Sequence, residues 1–223
     1  MEANDSYVLD VTAFIDTIEN KPSNTVLDYG IKIVSSSEIM VYYEVSPGCN
    51  CNPDIFALKG KNALGNFFIT PYQSFNNSSS GYFAGFNIVA TEDNTEVNIV
   101  LTQDSEGFMA GEEFSVNLNK GQTYFVKISN NIGNESLSGT TITSNKNISV
   151  TVHEDSLSGP YGGCADLVGD QLIPTELLGQ EYIAVKGYLY GPDKVYVTAQ
   201  YNNTIIQIDG NQFATINALE TIE

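Results

Sequence analysis

Tryptophan is absent from this chain, and histidine occurs once, at His153. Three cysteines and a single imidazole are too few, and too far apart in spacing, to form a structural zinc site. Cations are scarce: 9 Lys and Arg stand against 27 Asp and Glu, for a formal net charge of −18. A surface of that sign repels phosphate backbones and anionic lipid, which excludes nucleic acid as a partner. Long apolar runs are missing too. None reaches the ~18 to 20 residues that span a bilayer, so membrane insertion by a helix is not expected. The opening "MEANDSYVLD" has neither the basic nor the apolar region of a signal peptide. The expectation is a piece of a larger secreted or cell-surface protein whose export signal lies outside this sequence.

Against these absences, 42% of the 223 residues are hydrophobic and 11% aromatic, enough to bury a core in one large or two small domains. Asn, Ser, Thr and Gly supply the surface, since only 16% of residues are charged. Short segments such as "EIMVYYEV", "TEVNIVLT", "FSVNLN", "TYFVKI" and "ISVTVHE" alternate apolar and polar residues with a period near two, and Asn, Gly, Asp and Lys fill the breaks. That is the pattern of β-strands, and no segment carries a sustained helical period. "NLNKGQTYF" reads as a hairpin turning at Lys120-Gly121, where glycine accepts a positive φ. "DQLIPTELLGQ" reads as one short helical turn with Pro174 near its start.

The strands repeat. "FNIVATEDNTEVNIV" from Phe86 returns as "VYVTAQYNNTIIQID" from Val195, 109 residues on (195 − 86), placing Ala90 on Ala199, Asn94 on Asn203 and Ile99 on Ile208. "GIKIVSSSEIMVYYE" from Gly30 falls on "GTTITSNKNISVTVH" from Gly139 at the same step, and "NALGNFF" resembles "ELLGQEY" with Gly65 on Gly179. A shorter step of 53 residues (141 − 88) lays "IVATEDNTEVNI" on "TITSNKNISVTV". The strand-turn-strand element thus recurs from Ile31, Phe86, Thr140 and Val195, with Asn and Asp suited to the same tight turn each time. Such periods mark propellers, solenoids and arrays. The fold expected is all-β, built of repeated four-stranded antiparallel units of about 55 residues in a β-propeller-like arrangement. The alternative is two tandem β-sandwiches. Residues 1–223 are read as one repetitive β module, a fragment of a longer domain, with internal copies at about 30–138 and 139–223.

The phrases "VTAFIDTIENKPSNTVLDYGIKIVSSSEIMVYYEV", "NPDIFALKGKNALGNFFITPYQS", "FNIVATEDNTEVNI" and "LSGTTITSNKNISVTVHEDS", followed by a Cys-containing loop and "DQLIPTELLGQEYIAV", resemble the IgG Fc-binding-protein N-terminal domain family over nearly the whole chain. The resemblance implies a secreted or surface, non-enzymatic module that binds or adheres. It names immunoglobulin as one partner class, beside host or matrix glycoproteins and glycans, and bacterial surface proteins as the setting. It carries no family binding residue onto a position of this sequence.

Candidate chemistry is sparse. His153 has no G-x-S-x-G nucleophile elbow to serve, so it reads as a strand-end histidine and no catalytic residue is assigned. Glu92, Asp93 and Asn94 in "TEDNTE" offer oxygen ligands to calcium, the one cofactor considered. Their copy, "YNNT", keeps the turn and drops the charge, which favours a role in the turn itself. "SPGCNCNPD" and "HEDSLSGPYGGCADLVGD" are loops at equivalent places in the two copies, and loops on a rigid β scaffold are where recognition usually resides. Cys49, Cys51 and Cys164 in these loops allow one disulfide plus a free thiol, or buried thiols. Tyr161 and Asp166, with Tyr188 and Tyr190 between Gly187 and Gly191, are the expected binding side chains, because exposed Tyr stacks on sugars or fills protein interfaces. Phe83, Phe86 and Tyr196 are expected in the core. Two other readings are an architectural spacer with no ligand, and a polysaccharide hydrolase, which needs two carboxylates facing across a cleft.

Overall fold

Alternation of apolar and polar residues builds strands wherever it is sustained, and the chain is all-β apart from one-turn helical segments. A computed structural model describes residues 6–45, 53–71, 84–129, 136–158, 165–187 and 194–223. In chain order the strands are β1 (Val41–Val45), β2 (Asp54–Leu58), β3 (Gly65–Ile69), β4 (Ala84–Ala90), β5 (Thr95–Val100), β6 (Glu113–Leu118), β7 (Thr123–Lys127), β8 (Thr141–Ser158), β9 (Ala165–Gln171), β10 (Val197–Thr198), β11 (Thr204–Ile208), β12 (Asn211–Ile216) and β13 (Thr221–Ile222). Seven of them, β3 to β9, share one sheet, while β1 with β2, β10 with β13 and β11 with β12 form two-stranded pairs.

The spine of the large sheet is β8. Its 18 residues pair with β5 and β3 over its first part and with β4 and β9 over its second. All four partners run antiparallel to it. Ile142, Ile148, Val150 and Val152 alternate inward from β8 and meet Phe86 and Ile88 of β4, Val97 and Ile99 of β5, Phe68 of β3 and Val126 of β7 in one hydrophobic cluster. A fully buried side chain of this size stabilises by roughly 1.5 to 3 kcal/mol. At the rim, Phe108 and Phe114 stack with centroids 3.7 Å apart.

The polar "turns" differ from the hairpins that the sequence suggests. β4 and β5 do not fold back on each other. Both run antiparallel to β8, Ala90 opposite Ile148 and Val97 opposite Ser144, so Thr91–Glu96 steps over Asn145–Asn147 and the chain continues in the same direction. β6 and β7 behave alike, pairing with β5 and β4 respectively. Asn119–Gln122 therefore joins strands end to end, although Gly121 does take the expected positive φ of 83°. The three polar breaks lie side by side and bind one another. Asp93 Oδ1 accepts from Lys120 N at 3.0 Å, Asn119 Oδ1 from Asn94 N at 3.1 Å, and Asn145 Oδ1 from Glu96 N at 2.9 Å. The Lys146 ammonium donates to the Asp93 carbonyl. Side-chain oxygens thus replace the ladder bonds lost where the sheet turns, a corner of the kind by which strands pass from one packed layer to the next.

The N-terminal segment also departs from expectation. "VTAFID" forms a 3-10 turn at Thr12–Phe14 and a single α-turn at Ile15–Ile18, and residues 31–40, where the recurring element was expected to begin, lie outside any strand. Downstream of the helical turn the chain covers the open edge of β7: Asn24 N donates to Phe125 O, Leu27 and Thr123 exchange backbone bonds, and Gly30 N donates to Gly121 O. Covering an edge in this way removes a site for unwanted pairing. The "DQLIPTELLGQ" segment does form one short turn, Thr175–Leu177, directly after Pro174. Phe86 is buried as expected, Tyr196 is half-buried, and Phe83 lies outside the described residues.

Ile99 and Ile208 occupy the same place in the recurring element, but Ile99 is 0% exposed and Ile208 54%. Ile99→Ala is expected to cost about 2 to 5 kcal/mol and Ile208→Ala about 0.5 kcal/mol or less. Urea unfolding of the two variants checks this contrast, and equal losses would contradict the assigned core.

Candidate functional site

Register places the cysteine-containing loops. Val45 pairs with Asp54 and Ser158 with Ala165, so residues 46–53 connect β1 to β2 and residues 159–164 connect β8 to β9. Cys49, Cys51, Tyr161, Cys164, Tyr188 and Tyr190 lie outside the described residues. Asp166 pairs through its backbone with Leu157 near the start of β9, and its side chain is likewise outside the description.

The structure does show how the bases of the two hairpins are joined. Asp54 Oδ2, at the start of β2, accepts a hydrogen bond from Gly169 N of β9 at 2.5 Å. Phe56 lies against Gly169, where a Cβ would come within 2.9 Å of its ring, and Tyr43 packs on Phe56 at 5.5 Å. Five residues after Asp54, the Lys59 ammonium reaches the Asp170 carboxylate and the Gln171 carbonyl. Lys59 N donates to Gln171 Oε1 at 2.6 Å, and Gln171 Nε2 to Ser149 Oγ at 2.8 Å. One cation thus ties the hairpin β1–β2 to β9 and through it to the spine. The outer face of this hairpin leaves Met40, Tyr42 and Ile55 exposed, beside a shallow depression of about 340 Å³ lined by Glu44, Pro53, Asp54 and Ile55.

Sequence reasoning passed over Asp54, Lys59, Gly169 and Gln171. The scarcity of cations was the available signal, because a lysine at a strand end in so acidic a chain is drawn to a carboxylate wherever one is near. The acidic triplet Glu92, Asp93 and Asn94 sits elsewhere, at the corner. Asn94 takes φ 54°, Asp93 caps Lys120 N, and the Lys146 ammonium abuts the Asp93 carbonyl. Among the described residues no group of three or more His, Cys, Asp or Glu side chains gathers to hold a metal.

His153 lies in the second part of β8, between Gly85 of β4 and Gly169 of β9. Phe125 tilts over it with centroids 5.2 Å apart. Asn87 Nδ2 donates to His153 Nδ1 at 3.1 Å, Asn20 Nδ2 to Asn87 Oδ1 at 2.7 Å, and Thr123 Oγ1 to Asn20 Oδ1 at 2.9 Å. This polar chain fastens the N-terminal segment to three strands, and it depends on the neutral imidazole, whose Nδ1 accepts. Burial lowers the His153 pKa from 6.5 to about 4, because the imidazolium would lose its hydration.

Among curated proteins none matches the chain. Of the solved structures, the crystal structure of Thermotoga maritima 1070 is similar at 11% sequence identity and a TM-score of 0.28, over 48% of this chain and 89% of that one. No helix among the described residues is long and apolar enough to cross a membrane. The family model described as IgGFc binding protein matches residues 56–223, from within β2 through β9 and the corner to β13.

The depressed pKa of His153 sets a pH dependence. The unfolded chain binds the proton more tightly than the folded one, so this group leaves stability intact above about pH 6.5 and subtracts from it as pH falls toward 4. The loss is on the order of 3 kcal/mol for a gap of this size. Urea unfolding from pH 7 to pH 4 should show a smaller decline in His153→Gln, whose amide oxygen still accepts from Asn87. An identical pH profile in both proteins would contradict the buried neutral state.

Proposed function

We propose, since the chain belongs to the IgGFc binding protein family, that it is a non-enzymatic binding module of a secreted or cell-surface protein, recognising a protein or glycan ligand. The family match over residues 56–223 carries this reading. Immunoglobulin is the first partner to consider, followed by mucin-like glycoproteins and free glycans. Support comes from the joined hairpin bases: Asp54, Phe56 and Lys59 hold β1–β2 on β9, so that two loops rich in Gly, Pro and Cys issue from one rigid support. Loops carried on a β scaffold are where recognition usually resides. Tyr161, Asp166, Tyr188 and Tyr190 are the residues proposed to make contact. The module is proposed to be one stretch of a repetitive, propeller-like array; the bond from Lys120 N to Asp93 Oδ1 recurring as Ala218 N to Asn202 Oδ1, both 3.0 Å, supports that arrangement.

The test is a binding screen of the folded chain against immunoglobulin G, mucin and a glycan panel, with and without calcium, by surface plasmon resonance. Saturable binding is expected, weakened at least tenfold by Tyr161→Ala, Tyr188→Ala or Tyr190→Ala, as for aromatic anchors of an interface. A well-folded chain that binds none of these would overturn the reading in favour of an architectural spacer.

A further inference from the structure

Residues 19–30 are held to the sheet by polar bonds. No side chain between Glu19 and Gly30 is buried, yet the segment lies along the edge of β7 and covers Thr123 and Phe125, which are 7% and 5% exposed. Its backbone bonds that edge through Asn24 N to Phe125 O (2.8 Å), Leu27 N to Thr123 O (3.1 Å), Thr123 N to Leu27 O (2.7 Å) and Gly30 N to Gly121 O (3.0 Å). The fit at Gly30 is close, since a Cβ there would come within 2.5 Å of the Gly121 carbonyl oxygen. Apolar burial is what makes a segment hard to open. A strap with none opens locally at a fraction of the free energy that holds the core.

Side chains tie down its first half, and two of these ties end on groups that titrate in acid. Ser23 Oγ donates to the Glu106 carboxylate and Asn24 Nδ2 to the Glu106 carbonyl, while Lys127 Nζ donates to Glu106 Oε1 at 2.9 Å. The Asn20 side chain bonds Thr123 and, through Asn87, reaches the neutral imidazole of His153. That ring sits in a slot. Phe125 passes over Gly85 on one side, where a Cβ would come within 2.5 Å of the phenyl ring, and Phe56 covers Gly169 on the other. The charged groups on the elements packed around His153 are Asp155 on β8, Lys127 on β7, Asp54, Lys59 and Asp170 where β2 meets β9, and Glu19, Lys21 and Asp28 on the strap. Lys21 pairs with Glu19, Lys59 with Asp170 and Lys127 with Glu106.

An imidazolium in this slot lacks its hydration, and the opening that restores hydration at least cost decides what acid does to the protein. His153 has a folded pKa of about 4 against 6.5 in water, so a form in which it is hydrated binds the proton about 300-fold more tightly. That preference for the open form is absent above about pH 6.5 and complete near pH 4. We propose that residues 19–30 are an acid-released strap, which opens before the sheet does, admits water to His153 and bares the edge of β7. Melting the sheet would hydrate the same ring, but only by also exposing Phe86, Ile99 and Ile148, which are fully buried. The strap is separate from the loops proposed above to bind ligand, so either reading survives failure of the other.

Amide NMR spectra of the full chain between pH 7 and pH 4 test this. The resonances of Asn24, Leu27 and Gly30 are expected to reach random-coil positions by pH 4, while those of Ile99, Ile148 and Val150 keep their native dispersion. Two variants should shift the midpoint of release in opposite directions. His153→Gln, whose amide still accepts from Asn87 and takes up no proton, should lower it. Glu106→Gln, which gives up the ion pair with Lys127, should raise it. Three results would overturn the proposal: strap resonances unchanged at pH 4, strap and core signals collapsing together, or a midpoint that His153→Gln leaves in place. The wild-type spectra decide the first two alone, so the test stands even where a variant fails to fold.

Discussion

A strand of 18 residues drawn out straight would extend about 60 Å, too far for a sheet of seven strands to close a core around it. The row of polar breaks at Thr91–Asn94, Asn119–Gln122 and Asn145–Asn147 divides that length, because β8 passes here from pairing with β5 to pairing with β4. Each break forfeits ladder hydrogen bonds, and its backbone groups turn to side chains for partners. Asp93, Asn119 and Asn145 supply the missing acceptors from their side chains. Short amide and carboxylate groups suit the task because they reach the backbone locally and tolerate left-handed φ. The single cluster gathers Ile88, Ile99, Ile142 and Val150 from both sides of that row.

Cations occupy the seams of the molecule. With only 9 of them in the chain, Lys59 joins the β1–β2 hairpin to β9, Lys146 closes the corner, and Lys127 meets Glu106 at 2.9 Å. Glu106 also accepts from Ser23 of the N-terminal segment, and these bonds, Ser23 first, hold its pKa below the usual carboxylate range. Exposed ion pairs contribute little stability on their own. Their value here is positional, since each one adds to the amide and backbone bonds that join a segment to its neighbours.

Much of this was legible. β5, β6 and β7 fall on "TEVNIVLT", "FSVNLN" and "TYFVKI" because half-buried strands write their alternation directly into the residues. The match of Asn94 to Asn203 anticipated a shared left-handed turn, as their φ values of 54° and 59° show. What those turns connect was not legible, because Asn and Gly report the local bend and not whether the next strand returns beside the last. "NLNKGQTYF" therefore looked like a hairpin while joining β6 to β7 end to end. The joined hairpin bases were hidden as well, since Lys59 and Asp170 lie 111 residues apart and no local pattern links them.

Composition and periodicity by themselves determined that the chain is all-β, that a strand-turn-strand pattern returns 109 residues on, and that its net charge is strongly negative. These properties follow from local side-chain preference and from charge, both of which are additive along a sequence. The tertiary structure alone decided that β8 is the spine, that three turns align into one corner, and that Ile99 is buried while its sequence twin Ile208 is exposed. Those outcomes depend on which strands meet across long separations, and burial belongs to the partner a residue finds more than to the residue.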